Sequence, residues 1–140
     1  MAVVNGQPRY YMTHNVNAGI STAADLIRNT APYNANGSSV IIGVWDQQSV
    51  RDTHQEFGSR VNNMDGVSPH YHGTHVGGTI GAAGVVPDAL GMAPSVQIDS
   101  YDWGSDDAEM AERGATTKNK TNDVIISNHS YGLITGWRNG

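Results

Sequence analysis

Val40-Ile41-Ile42-Gly43-Val44-Trp45 is a run of six apolar residues with no polar alternation, rich in β-branched side chains and closed by Asp46. A run of that length and pattern fits a strand buried on both faces, which in turn demands a parallel sheet covered by helices above and below. Two further runs repeat the theme: Val96 to Tyr101, with Val96 and Ile98 directed to one side, and Asp123-Val124-Ile125-Ile126-Ser127, expected to be another buried strand. Between them lie segments of helical pattern. The alternation of strand and helix predicts right-handed βαβ units around a parallel sheet, an α/β architecture.

The helical segments have their own signatures. Ile20 to Arg28 reads as a helix, with Thr22 and Asp25 as a capping box and Ala23, Leu26 and Ile27 as its apolar stripe. From His72 to about Ala83 the pattern is helical again, with Val76, Ile80 and Ala83 on one side. Glycine inside a helix costs about 1 kcal/mol relative to alanine, so Gly73, Gly77, Gly78 and Gly81 imply backbone packed tightly against a neighbour. Ser105 followed by Asp106, Asp107 and Glu109 predicts a third helix, running to about Thr117 and burying Ala108, Ala111 and Ala115. Residues 1–39 read as an N-terminal arm and helix, and 40–140 as the core. Within it, Gln47 to Pro69 is a polar excursion carrying Arg51, Asp52, His54, Glu56, Arg60 and Asp65, most of which are expected to be solvated.

Bulk properties narrow the function. The 140 residues are 38% hydrophobic, enough for a packed core, and the net charge of −5 disfavours nucleic acid or an anionic membrane as partner. With no cysteine there is no disulfide, thiol nucleophile or thiolate metal site. Met1 to Tyr11 lacks a charged-then-apolar leader pattern.

The chemistry concentrates in His70-Tyr71-His72-Gly73-Thr74-His75-Val76-Gly77-Gly78-Thr79-Ile80. As His-x-His-x-Thr-His, it comes within one residue of a zinc signature of metallo-β-lactamase-like hydrolases, in which His70, His72 and His75 would share a metal; Thr74 stands where that signature has Asp. A second alternative is Asn128-His129-Ser130-Tyr131-Gly132 after a strand, one glycine short of the Gly-x-Ser-x-Gly nucleophile elbow. Asp46 at a strand's carboxyl end is a site candidate from position alone, although Asp also commonly starts a turn.

Read from His72 as His-Gly-Thr-His-Val-Gly-Gly-Thr-Ile, the stretch resembles the catalytic-histidine motif of the subtilisin-like serine peptidases. The resemblance spans roughly Val40 to Gly132. It includes the strand ending in Asp46, Gly91-Met92-Ala93-Pro94 before a strand, and Ile125-Ile126-Ser127-Asn128-His129-Ser130-Tyr131-Gly132, in the family's order. It implies a three-layer, parallel-sheet subtilisin-like fold, of which this chain is expected to hold only the front half, in a secreted endopeptidase acting on polypeptides. In that family Asp46 would orient His72, His72 would act as general base toward a serine, and Ser130, Tyr131 and Gly132 would form the substrate-binding strand edge. His75 matches a structural position.

Departures are equally specific. Gln47 and Gln48 follow the aspartate where the family has Ser or Thr and then Gly. Ala83-Gly84-Val85-Val86-Pro87 offers no side-chain ligand where many members carry a calcium loop, so no cofactor is expected here, calcium being open for a longer protein. No Gly-Thr-Ser-Met-Ala-like nucleophile segment occurs in the 140 residues. The chain alone is therefore expected to be inactive, its partner being the missing carboxyl-terminal half of the domain. The alternative in another class is a non-catalytic binding module built on the same fold.

Overall fold

A computed structural model describes residues 2–4, 7–9, 15–28, 30–114 and 124–132. In chain order they form β1 (Ala2–Val4), β2 (Gln7–Arg9), α1 (Asn15–Ser21), α2 (Ala24–Arg28), β3 (Ile41–Asp46), β4 (Val61–Asn63), α3 (Tyr71–Gly81), a short 3-10 turn at Pro87–Ala89, β5 (Gln97–Asp102), α4 (Asp106–Gly114) and β6 (Ile126–His129). β1 and β2 pair antiparallel. The other four strands form one sheet in the order β4-β5-β3-β6, with every pairing parallel.

The apolar run of β3 explains the layering. In a strand successive side chains alternate faces, and registered neighbours in a parallel sheet share a face. Ile42 pairs with Ile98 and Val44 with Ser100. Their face carries the core of Ile42, Val44, Val50, Phe57, Val61, Val96 and Ile98, against which Val76 and Ile80 of α3 pack. Trp45 and Tyr101 occupy the opposite face, stacked at 4.4 Å and 6°. There α4 is fastened by Trp45 Nε1 donating to Glu109 at 2.9 Å and by an Arg113–Asp99 ion pair. Helix, sheet and helix make the three layers.

α3 lies close to the sheet because its glycines allow it. Gly73, Gly77 and Gly81 recur every four residues and all are buried. A Cβ on Gly77 would meet Val50 Cγ1 at 2.9 Å, and one on Gly81 would meet Val96 Cγ1 at 3.0 Å. Gly78 faces away, with nothing within 4 Å. The last carbonyls of a helix need outside donors. Here the Gly-Met-Ala segment supplies them: Gly91 N–H to Ala82 O, Met92 N–H to Thr79 O and Ala93 N–H to Ile80 O, at 2.8–3.0 Å.

Several expectations are corrected. Going from β4 to β5 and from β5 to β6, the chain advances in one direction across the sheet, yet α3 and α4 lie on opposite faces. The β4-α3-β5 and β5-α4-β6 crossovers therefore have opposite hands, whereas the units expected from sequence, β3 to β5 over α3 and β5 to β6 over α4, run in opposite directions over opposite faces and so share one hand. The chemistry of the faces accounts for the placement of the helices: the glycine stripe fits the aliphatic face, whereas the Trp45–Tyr101 face receives α4 through polar contacts. The Ile20–Arg28 helix is split. Thr22 Oγ1 donates to Ala18 O at 2.9 Å, closing α1 rather than capping α2, and Ala23 takes a φ of 59° between them. Leu26 and Ile27 are exposed, and buried Arg28 holds α2 through Gly91 O at 2.6 Å. In α4, Ala108 and Ala111 are exposed, while Ala115 to Thr117 lie outside the described residues. β6 begins at Ile126 and is mostly exposed, so the buried strand expected over 123–127 is an exposed one displaced toward His129; Asp123 lies outside the described residues.

Candidate functional site

β3 delivers Asp46 to the carboxyl end of the sheet on the same face as Ile42 and Val44, the face covered by α3. His72 stands in the first turn of that helix. The start of α3 is pinned from both sides: His70 N–H donates to Ser49 O at 2.9 Å, and the His70 Nδ1 accepts the His72 N–H at 3.2 Å. Thr74 Oγ1 closes the turn on His70 O at 2.7 Å. His70 is thus an N-cap, a role for which histidine is not a usual choice and which sequence reading did not assign.

The outcome is a contact of 2.6 Å between His72 Nδ1 and Asp46 Oδ1. The Asp46 side chain is 1% exposed and that of His72 46%. Asp46 Oδ1 also accepts the Gln47 N–H at 2.7 Å, so two donors converge on one oxygen. With an ionised carboxylate as acceptor, the proton of the neutral imidazole is assigned to Nδ1, leaving Nε2 as the basic nitrogen on a solvent-accessible ring. Such an arrangement can take a proton from a hydroxyl and stabilise the resulting imidazolium.

The turn behind Asp46 is unconventional in residue type but anchored. Gln48 adopts a φ of 58°, and its N–H donates to Asp102 Oδ1 at 2.8 Å. Asp102 is the register partner of Asp46 on β5. Sequence reading did not find this role of Asp102; its position at the end of a strand, as for Asp46, was the available signal.

Ser130, Tyr131 and Gly132 follow β6, whose His129 pairs with Trp45, so this segment begins level with Asp46. Ser130 Oγ accepts from Asn128 Nδ2 at 2.9 Å. Tyr131 has a pKa held above that of an ordinary tyrosine, first by burial, then by its hydrogen bond to Asp106 and the charges of Asp106, Asp107 and Asp46.

The remaining histidines do other work. Among the described residues no three His, Asp or Glu side chains form a group able to hold a metal ion. A cavity of about 630 Å³ lies along the outer side of α3, lined by Tyr71, Thr74, His75 and Gly78 with His54 and Phe57; neither Asp46 nor His72 lines it. Glu56, one of a group of charged residues most of which were expected in solvent, is buried. Its carboxylate accepts the N–H groups of Gly84, Val85 and Val86 at 2.7–2.9 Å, tying the segment after α3 to the core.

A buried strand-end carboxylate thus stands 2.6 Å from a helix-start imidazole. The model of the subtilase family of S8 peptidases matches residues 11–139. The chain belongs to the subtilase family. No curated protein and no solved structure matches it. The match extends well before the Val40 to Gly132 span of the sequence motifs, taking in α1 and α2 of this subtilase, and the family is one of serine peptidases.

Proposed function

We propose that this subtilase chain contributes the Asp46–His72 part of an Asp-His-Ser triad and the substrate-binding edge Ser130-Tyr131-Gly132 to an endopeptidase that hydrolyses peptide bonds. The observation that carries the reading is the 2.6 Å contact joining a buried Asp46 to an accessible His72. Asp46 holds the Nδ1–H tautomer; His72 Nε2 removes the proton from a serine hydroxyl as it attacks the scissile carbonyl, then gives it to the leaving amine. The serine and its oxyanion donors come from a segment outside these 140 residues, which hold no Gly-Thr-Ser-Met-Ala-like stretch. The polypeptide lies along Ser130 to Gly132 as an added strand. Secretion, as in the resemblance, completes the reading.

Residues 1–140 alone are expected to show no peptidase turnover and to resist labelling by a fluorophosphonate probe. A chain that also contains the Gly-Thr-Ser segment turns over peptide substrate, and His72→Ala lowers kcat by at least about 10³-fold, as loss of a triad member does. Strong labelling of the 140-residue chain that disappears in Ser130→Ala would refute the assignment in favour of the nucleophile elbow. An intact longer chain with no turnover that still binds peptide would replace it with the binding-module reading.

A further inference from the structure

Strand addition requires a backbone edge held in register, and among the described residues no backbone–backbone hydrogen bond engages Ser130, Tyr131 or Gly132. The polar tether of this segment to the rest of the molecule runs through a side chain. The Tyr131 hydroxyl donates to Asp106 Oδ2 and lies 2.9 Å from His129 Nδ1. Since the hydroxyl proton goes to the carboxylate, the hydroxyl oxygen accepts from His129 Nδ1–H. The His129 ring is stacked on Trp45 at 5.3 Å and 14°. Trp45 in turn donates to Glu109, one helical turn from Asp106 on α4. These contacts close a ring from α4 through Tyr131 and His129 to β3 and back, and β3 is the strand that ends in Asp46.

We propose that Asp106 is a positioning residue for peptide binding, fixing the Ser130–Gly132 edge against β3 through the Tyr131 hydroxyl. The inference rests on reading that edge as the substrate site. Asp106 is suited to the task because its other oxygen, Oδ1, accepts the Asp107 N–H at 2.9 Å, which orients the carboxylate before Tyr131 arrives. The hydrogen bond from Tyr131 is also the first cause holding the Asp106 pKa below the ordinary aspartate value, so the carboxylate stays ionised and a strong acceptor across neutral and mildly acid pH. Trp103 packs edge-on to Tyr131 at 5.7 Å, limiting the ring to one orientation. Without the tether, Tyr131 and the amides on either side of it are held less firmly, and a peptide must order them on binding.

The test uses the 140-residue chain and N-acetyl-tetra-alanine amide, titrated by NMR, beside the same peptide N-methylated at alternate amides. Asp106→Ala and Tyr131→Phe are each expected to weaken binding five- to tenfold, with the double variant no weaker than either. Asp106→Asn, which keeps an oxygen acceptor, restores affinity to within about twofold. Thermal midpoints and the amide shifts of β3 and β5 stay unchanged in Tyr131→Phe. Wild-type binding with Asp106→Ala and Tyr131→Phe both within twofold of it overturns the positioning role while leaving the edge as the site. No wild-type binding, or equal binding of the N-methylated peptide, overturns the edge reading and this inference with it.

Discussion

Gln48 and Glu56 hold backbone where the sequence alone gives little sign of it. At a φ of 58°, Gln48 occupies the left-handed region, which costs a residue with a Cβ about 1 kcal/mol, and it is kept there by the N–H bond to Asp102. Gln48→Gly relieves that strain at some cost in unfolded-chain entropy, so it should be neutral to stabilising by up to about 1 kcal/mol, whereas Gln48→Val should destabilise; denaturant titration of both measures the sign. Glu56 carries a pH dependence. Burial raises its pKa, but the N–H donors of Val86, Val85 and Gly84 and the nearby His54 more than offset this, leaving it below the ordinary 4.5. A carboxyl whose folded pKa is depressed contributes stability that is complete above its unfolded value and lost as pH falls through the folded one. Wild type should therefore lose stability below about pH 4.5 more steeply than Glu56→Gln, which at neutral pH is destabilised by about 2 kcal/mol. A constant gap between the two from pH 7 to 3 would count against this assignment. Asp46 and His72 were legible because one ends an unmistakable buried strand and the other opens a long motif. Glu56 was not, because its partners are main-chain amides of a distant loop, which leave no mark on residue type.

Elements were legible where an apolar period coincided with burial. β3 and α3 appear close to their expected limits, since the run Val40 to Trp45 and the glycine stripe each have only one consistent packing. α4 fails the same reading because its sheet-facing positions are Glu109 and Arg113, four apart, while its alanines face water. β4 was missed because three residues, Val61–Asn63, with one buried side chain give no periodicity at all. The glycines of α3 offer a sharper test than the strand pattern. Alanine at Gly77 gains about 1 kcal/mol of helix propensity but drives a Cβ to 2.9 Å from Val50, and overpacking of this kind costs about 1–3 kcal/mol. Alanine at Gly78 gains the propensity and meets nothing. Gly77→Ala should lower the thermal midpoint and Gly78→Ala raise it by a few degrees. Shifts of the same sign would mean that α3 does not sit this close to the sheet.

Across the whole molecule, the described sheet closes at one side on β6, whose pairing is to β3 and whose burial is slight. The topology was legible as parallel α/β, but β4 was not, and with it the β4-α3-β5 crossover whose hand is opposite to that of β5-α4-β6. The face each helix takes rests on tertiary packing against Val50 and Phe57 on one side of the sheet and Trp45 on the other. The margin has a consequence for solution behaviour. Ile125 is 68% and Ile126 53% exposed, beside a strand that presents pairing groups outward, a combination that invites association between copies. Lysine at 125 places a charge beside the edge without touching the ladder of Ile126–His129. Because Ile125 buries little, Ile125→Lys should change unfolding free energy by no more than about 0.5 kcal/mol. It should nonetheless reduce the concentration dependence of light scattering by the 140-residue chain, most clearly at high salt, where charge repulsion elsewhere is screened and apolar contact is strengthened. If wild type and Ile125→Lys stay equally monodisperse into the millimolar range, the β6 margin is not an association surface.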